Sequence, residues 1–309
     1  MAKPTRVGRT SPHWLVLLIL YLAVAATAPT LAWLKGWPAR PWNDELSSAT
    51  AMVAFAMLLM EFTSTGRIQF ITDRLHHDMT MKWHRGTAIV VLVIAVLHPF
   101  FYTQQDSSPP VDDPTNLVHL GLNGWSLPTG IAGFMLLVAL VTFAAFRNHL
   151  DYRYETWRIG HALGAVVVSA LVLTHVLSGG RYSQIAAIRW FWIGLAALAA
   201  LALIYTFVVL PLFMRRRPYR LARREHIREG EWSLTFEPNG FVLPGFRPGQ
   251  FVWLSFNSPF SILEHPFTVP GNQTDANAVR LSIHEVGDWT RQVAEIPIGS
   301  TAFLNGPYG

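Results

Sequence analysis

Residues 83–98 read WHRGTAIVVLVIAVLH, and residues 157–175 read WRIGHALGAVVVSALVLTH. Each stretch is an apolar run with one histidine near its start and another fourteen positions on: His84 and His98 in the first, His161 and His175 in the second. Fourteen residues of α-helix turn through about 1400°, roughly 40° short of four turns, so each pair shares one helix face. The same fourteen residues rise about 21 Å, most of the way across a hydrocarbon core of about 30 Å. Two such helices side by side offer two levels, each with two imidazoles facing inward. The spacing predicts two haem b groups, one above the other, the first held by His84 and His161 and the second by His98 and His175. A lone histidine in an apolar helix is ordinarily a hydrogen-bonded core residue. Ionisable groups inside a membrane span are costly and tend to be functional, and four at one repeated spacing are hard to assign to core filling.

Composition agrees with a membrane setting. Of 309 residues, 51% are hydrophobic and 14% charged, with a mean hydropathy of +0.29. The charges crowd the ends of the apolar runs and the last third of the chain. This is the pattern of a polytopic membrane protein with a soluble extension. There is no cysteine, which excludes iron–sulfur clusters, thiolate-ligated haem and disulfides. The formal charge of +5 does not call for nucleic acid, because the basic residues sit beside helix ends.

Hydropathy predicts six transmembrane helices, at Trp14–Leu34, Leu46–Thr65, Trp83–Tyr102, Leu127–Phe146, Ile159–Leu177 and Trp190–Phe213. The basic segment Met1–Arg9 precedes the first, which reads as a retained span. Lysine and arginine concentrate on one side: Lys3, Arg6 and Arg9; Arg67, Arg74, Lys82 and Arg85; Arg147, Arg153 and Arg158; Arg215 to Arg217. The other side holds Lys35, Arg40, Arg181 and Arg189, and the loop Thr103–Ser126 carries Asp106, Asp112 and Asp113 with no basic residue. The positive-inside rule then puts both termini in the cytoplasm, in the cell membrane. It makes His84/His161 the inner level and His98/His175 the outer one.

Composition changes after Met214, dividing a helical domain (1–214) from a C-terminal one (215–309). Short alternating runs follow at Arg220–Ile227, Trp232–Glu237, Phe251–Phe256 and Val279–Glu285, separated by Pro238-Asn239-Gly240, Arg247-Pro248-Gly249 and Pro270-Gly271-Asn272. Such spacing predicts a small antiparallel β-barrel, with one short helix over Trp289–Ile296.

Four motifs in this part carry a resemblance: Arg247-Pro248-Gly249-Gln250-Phe251, His265-Pro266-Phe267-Thr268, Gly287-Asp288-Trp289-Thr290 and Gly306-Pro307-Tyr308-Gly309. In this order they resemble the flavin domain of the ferredoxin–NADP reductase superfamily. Behind a bis-histidine membrane domain, the whole chain resembles the ferric reductase and NADPH oxidase family. The resemblance implies FAD as a cofactor, with Thr268 near the flavin N5, Phe267 lining or stacking on the isoalloxazine, and His265, beside Pro266, near the phosphates. Gly287 to Thr290 would open a helix whose N-terminus suits the pyrophosphate. The ordinary alternatives are a surface His265, a core Phe267 and a turn at Gly287. The family continues past the Gly-Pro-Tyr-Gly segment into a nucleotide domain, so its absence here implies either a truncated chain or a separate hydride donor, truncation being preferred.

Lys82, Arg85 and Arg158 lie beside the inner pair and either meet haem propionates or serve as topology charges. Arg40 and Arg181 stand in the same way to the outer level, or to a negatively charged acceptor. Glu61 is either at the cytoplasmic interface or turned into the bundle. His76, His77, His119 and His149 read as solvated loop residues. With two imidazoles on each iron, neither metal keeps an open coordination site, so the haems carry electrons rather than bind substrate. The expected route runs from NAD(P)H through FAD and both haems to an external acceptor, ferric chelates first and oxygen second. Other readings are an electron-transfer cytochrome b subunit and a transporter with proton-relaying histidines.

Overall fold

The structure, a computed structural model, describes residues 13–101, 125–149, 153–241, 245–246, 249–270 and 277–309. Met1–Arg9, Tyr102, the acidic loop with His119, Arg247-Pro248 and Gly271-Asn272 lie outside the described residues. By contacts the chain divides into two compact units: Met1–Gly66 with Met79–Ala202, and Arg67–Asp78 with Leu203–Gly309.

Six long helices make up the first stretch of the chain: α1 (His13–Lys35), α2 (Trp42–Met60), α4 (His77–Phe101), α5 (Ser126–Ala145), α6 (Tyr154–Gly179) and α7 (Ala186–Ile204). A seven-residue helix, α3 (Gln69–Leu75), which hydropathy did not foresee, lies between α2 and α4. The apolar helix beginning at α7 runs on through a π-helical turn, Tyr205–Val209, into α8 (Leu210–Arg215). Among the described residues, five helices are long and apolar enough to cross a membrane: residues 14–35, α4, α5, α6 and the run Ala186–Arg215. The predicted sixth span is a helix, but its first turns (Trp-Asn-Asp-Glu, then Ser47 and Ser48) keep α2 below that mark. Helices α4 and α6 begin several residues before their hydropathic segments, because polar first turns are still helical.

The outer faces of these helices are apolar and exposed, as at Ile89, Val93, Leu163 and Val167, while Glu61, Thr87, Thr129 and Ser169 are buried. Small residues let α5 and α6 approach closely. A Cβ at Gly164 would lie 2.7 Å from Leu140, and one at Gly133 would lie 3.0 Å from Val172.

The second unit contains six antiparallel strands: β1 (Tyr219–Arg228), β2 (Glu231–Pro238), β3 (Phe251–Phe256), β4 (His265–Thr268), β5 (Val279–His284) and β6 (Thr301–Tyr308). Their order is β4-β3-β6-β1-β2-β5. Gly230, at φ +69°, supplies the left-handed residue between β1 and β2. On β5 the buried residues Val279, Leu281 and Ile283 alternate with more exposed ones. They pack with Leu221, Leu234, Phe236, Val252, Leu254 and Leu304 into one core. The predicted barrel is corrected: β4 and β5 are the two edges of the sheet and do not pair, so it is open. A barrel closes only when its terminal strands share a ladder, and among the described residues β4 pairs with β3 alone and β5 with β2 alone. The predicted helix at 289–296 is a single α-turn, α9 (Asp288–Arg291), followed by a 3₁₀ segment, Gln292–Glu295. Strands β4 and β6 coincide with the His-Pro-Phe-Thr and Gly-Pro-Tyr-Gly motifs and were not foreseen as strands.

Candidate functional site: histidine pairs and flavin motifs

In the helical unit, the rings of His84 on α4 and His161 on α6 face each other with centroids 6.3 Å apart and planes at 76°. Two imidazoles bonded to one metal ion from opposite sides, each at about 2 Å, put their centroids about 6 Å apart. The spacing therefore fits two imidazoles that would hold one metal ion between them.

The other ring nitrogens are accounted for unequally. His84 Nδ1 lies 2.6 Å from Glu61 Oε2 and 3.3 Å from Ser64 Oγ. His98 Nδ1 lies 2.9 Å from Ser47 Oγ and 3.2 Å from the Ser47 carbonyl oxygen. His175 Nδ1 lies 2.8 Å from the Ser126 carbonyl oxygen. An imidazole that donates its Nδ1–H to an acceptor keeps the Nε2 lone pair for a metal. His161 Nδ1 is buried and has no hydrogen-bond partner among the described residues. The protein thus turns three of the four rings toward one tautomer. Gly130 adds a steric constraint: a Cβ there would come within 2.6 Å of His175 Nδ1, so the ring lies directly on the α5 backbone. These residues fit bis-histidine haem ligation, in donor chemistry and in the spacing of the inner pair.

Glu61 is turned into the bundle. It is 7% exposed, and it caps the C-terminal end of α2. Besides His84, its carboxylate accepts from Ser64 Oγ at 3.0 Å, from Tyr21 Oη at 3.4 Å, and from Thr87 Oγ1. An acidic residue within an apolar run was the sequence signal, and only the fold gives it His84 as a partner. Lys82 and Arg85 are exposed on α4, and Arg158 is half-buried on α6.

At the other end of this unit, Glu45 gathers Arg40 (3.3 Å), Arg181 (3.1 Å) and the Tyr182 hydroxyl. Burial, then Glu45, pushes the Tyr182 hydroxyl up to about 12. Both arginines are thus held by a carboxylate of the protein itself.

In the sheet unit, β4 pairs with β3 so that His265 faces Leu254 and Thr268 faces Phe251. Alternation puts His265 and Phe267 on one face and Pro266 and Thr268, both exposed, on the other. Trp289 covers the first face, with its ring centroid 4.4 Å from His265 and 5.7 Å from Phe267, the latter stacked. Trp289 lies within the Gly287-Asp288-Trp289-Thr290 motif, and only the fold brings its ring onto β4. Gly287 caps α9 in an extended conformation. The Thr290 hydroxyl accepts the backbone N–H groups of Val286 and Gly287, both at 2.9 Å, and so shapes that turn.

The segment preceding α3 reaches the same unit. Arg67 pairs with Glu264 through two bonds of 3.1 and 2.7 Å and lies 3.8 Å over the Trp253 ring. His77, expected in a solvated loop, begins α4, with its ring 4.9 Å from Phe251. His76 closes α3 with φ 58°, and His149 lies in a 3₁₀ turn against Phe146.

Apolar helices holding half-buried histidines, followed by an antiparallel sheet, define a multi-pass membrane protein with an added β domain. A family described as "Ferric reductase like transmembrane component" matches residues 50–173, and one described as "FAD-binding domain" matches residues 241–309. In this order they match the chain to the ferric reductase and NADPH oxidase family. The two matched domains indicate an oxidoreductase and are those of flavin-dependent electron transfer across a membrane. An uncharacterized protein of Archaeoglobus fulgidus is 25% identical over 161 residues, 51% of this chain and 86% of its own. Among solved structures, a ferredoxin reductase in carbazole 1,9a-dioxygenase is 16% identical over 30% of this chain and 28% of its own, with a TM-score of 0.27. A flavohemoglobin from Malassezia yamatoensis, solved with bound FAD and heme, is 15% identical over 85% of this chain and 63% of its own, with a TM-score of 0.33. This chain thus spans less than two thirds of either of those two chains.

Proposed function

We propose that the chain is a transmembrane flavocytochrome that moves electrons from cytoplasmic NAD(P)H to an acceptor outside the cell. Its resident cofactors are FAD and two haem b groups. The observation that carries this reading is the inner histidine pair, facing at 6.3 Å with the His84 Nδ1 already committed. His84 and His161 would hold the inner haem, His98 and His175 the outer one. When bound, FAD supplies the exchange between a two-electron donor and single electrons, and bis-histidine iron supplies single-electron carriage.

The remaining work belongs to the protein. Glu61, Ser47 and Ser126 orient three imidazoles through Nδ1. Gly130 lets α5 support the His175 ring. Arg85 and Arg158 would meet propionates. Residues 215–309 would bind FAD, with His265, Pro266, Phe267 and Thr268 on β4, and with Gly287 and Thr290 forming the turn beside it. Helix α2 acts as a sixth span: its 19 residues rise about 28 Å, and its polar residues Asp44 and Ser47 are buried. Both termini are assigned to the cytoplasm of a multi-pass protein in the cell membrane. Ferric chelates are the preferred acceptor, and oxygen, giving superoxide, is the alternative.

An optical spectrum of purified protein, with haem and FAD counted per chain, tests this. Two haems and one FAD are expected. His98→Ala and His175→Ala should each lower bound haem and stop acceptor reduction while FAD is retained. Unchanged haem content in both variants would contradict the assignment.

A further inference from the structure

The two histidine levels differ in what receives the Nδ1 proton. At the outer level both acceptors are neutral: Ser47 for His98 and the Ser126 carbonyl for His175. At the inner level, His84 Nδ1 meets a carboxylate oxygen at 2.6 Å, while His161 Nδ1 has no partner among the described residues.

We propose that Glu61 is a tuning residue that holds the reduction potential of the inner haem below that of the outer one. The inference rests on the two-haem reading above. A carboxylate that pulls on Nδ1–H makes His84 a more basic, more anionic donor through Nε2. Such a ligand favours ferric over ferrous iron, and second-shell hydrogen bonding of this kind is a recognised control of haem potential. The buried negative charge acts in the same direction. The couple is a single electron added to Fe(III) to give Fe(II), with no bond made or broken. The order it creates, lower inside and higher outside, makes transfer from the flavin side to the outside downhill.

Groups around the carboxylate set how strongly it pulls. Thr87 Oγ1 and Tyr21 Oη both donate to Oε1, and Ser64 Oγ donates to Oε2, which also faces His84. Each donor competes with the His84 Nδ1–H for the lone pairs of the carboxylate. Removing one should strengthen its grip on His84, and removing the charge should weaken it. The two changes must therefore shift the inner haem in opposite directions, which a merely structural role for Glu61 would not do.

The experiment is a spectroelectrochemical titration of full-length protein reading both haem steps, with low-spin ferric electron paramagnetic resonance on the same samples. Wild type should show two steps. In Glu61→Gln the lower step should move up while the upper stays, and one of the two ferric signals should change. In Thr87→Val, close in shape and lacking the hydroxyl, the lower step should move down. Two bound haems with both steps unmoved in these variants would overturn the proposal, and so would movement of the upper step alone. If Glu61→Gln loses haem, the direction of the Thr87→Val shift decides. A wild-type chain holding fewer than two haems is a separate failure, that of the two-haem reading itself.

Discussion

The helical unit and the sheet unit hide opposite kinds of residue. Around the helices, Ile89, Val93, Leu163 and Val167 are exposed, and Glu61, Thr87 and Ser169 are buried. In the sheet unit, Leu221, Phe236, Leu254 and Leu281 are buried, and Arg220, Arg223 and Glu225 are exposed. The same chain obeys two rules because it meets two solvents. Lipid makes no demand that apolar groups leave the surface, but it leaves any polar group to find a partner inside. Water does the reverse. A buried polar side chain therefore means different things in the two units. In the helices two such side chains, Glu61 and Ser47, meet histidine Nδ1 atoms. In the sheet the corresponding residues sit at an edge strand, placed by register and covered by Trp289.

If the two units are held by separate devices, damage to one should spare the other. The largest effect is expected from Arg67→Ala. It strips a guanidinium from the Trp253 ring and leaves Glu264, only 17% exposed, without its bidentate partner. Breaking such a pair should cost about 2–3 kcal/mol, the fully buried figure reduced for the exposure that remains. Denaturant titration of the full chain, followed by flavin fluorescence, should show the loss, with haem content unchanged. Equal loss of haem would break the separation.

Gly130→Ala tests the other side. The new methyl would meet the His175 ring at 2.6 Å, so the ring would have to move. A cost of about 1–2 kcal/mol is expected from overpacking. The outer haem spectrum should be disturbed, with FAD affinity kept. An unaltered outer haem would mean that the α5 surface does not position His175.

The smallest effect is a pH dependence in the sheet unit. Burial pushes the Tyr219 hydroxyl up from 10.0 to about 12, and Tyr308 is raised as well, burial again the largest cause. The folded state then keeps a proton that the unfolded chain releases. Stability should be level below pH 10 and fall as pH rises from there toward about 12. Tyr219→Phe should flatten part of that decline in the same flavin-monitored transition. A slope that survives in Tyr219→Phe unchanged would assign it elsewhere.

Much of this was legible in one dimension because it is periodic. Fourteen-residue spacing puts His84 over His98 and His161 over His175 on any α-helix, whatever surrounds them. Strand β3 was predicted at its observed bounds because Phe251–Phe256 is a β-rich run between turn residues. Strand β4 was hidden because four residues beginning His-Pro carry no alternation long enough to see. Strand β6 was hidden because Gly306 and Pro307 read as a turn. The open sheet was illegible for a related reason: β4 and β5 are consecutive in the chain yet stand at opposite ends of the strand order, which spacing along the chain does not reveal. Arg67 read as a topology charge, since its partner Glu264 is 197 positions away.

The chain's order of residues alone determined the apolar helices, the shared faces of the histidines and the flavin motifs, because each follows from local periodicity or from neighbours along the backbone. Only the tertiary structure decided that Glu61 serves His84, that Ser47 and Ser126 anchor the outer pair, and that Trp289 lies over His265 and Phe267. Hydrogen bonds and ring contacts depend on distances across the fold, and spacing along a helix says nothing about what stands opposite it.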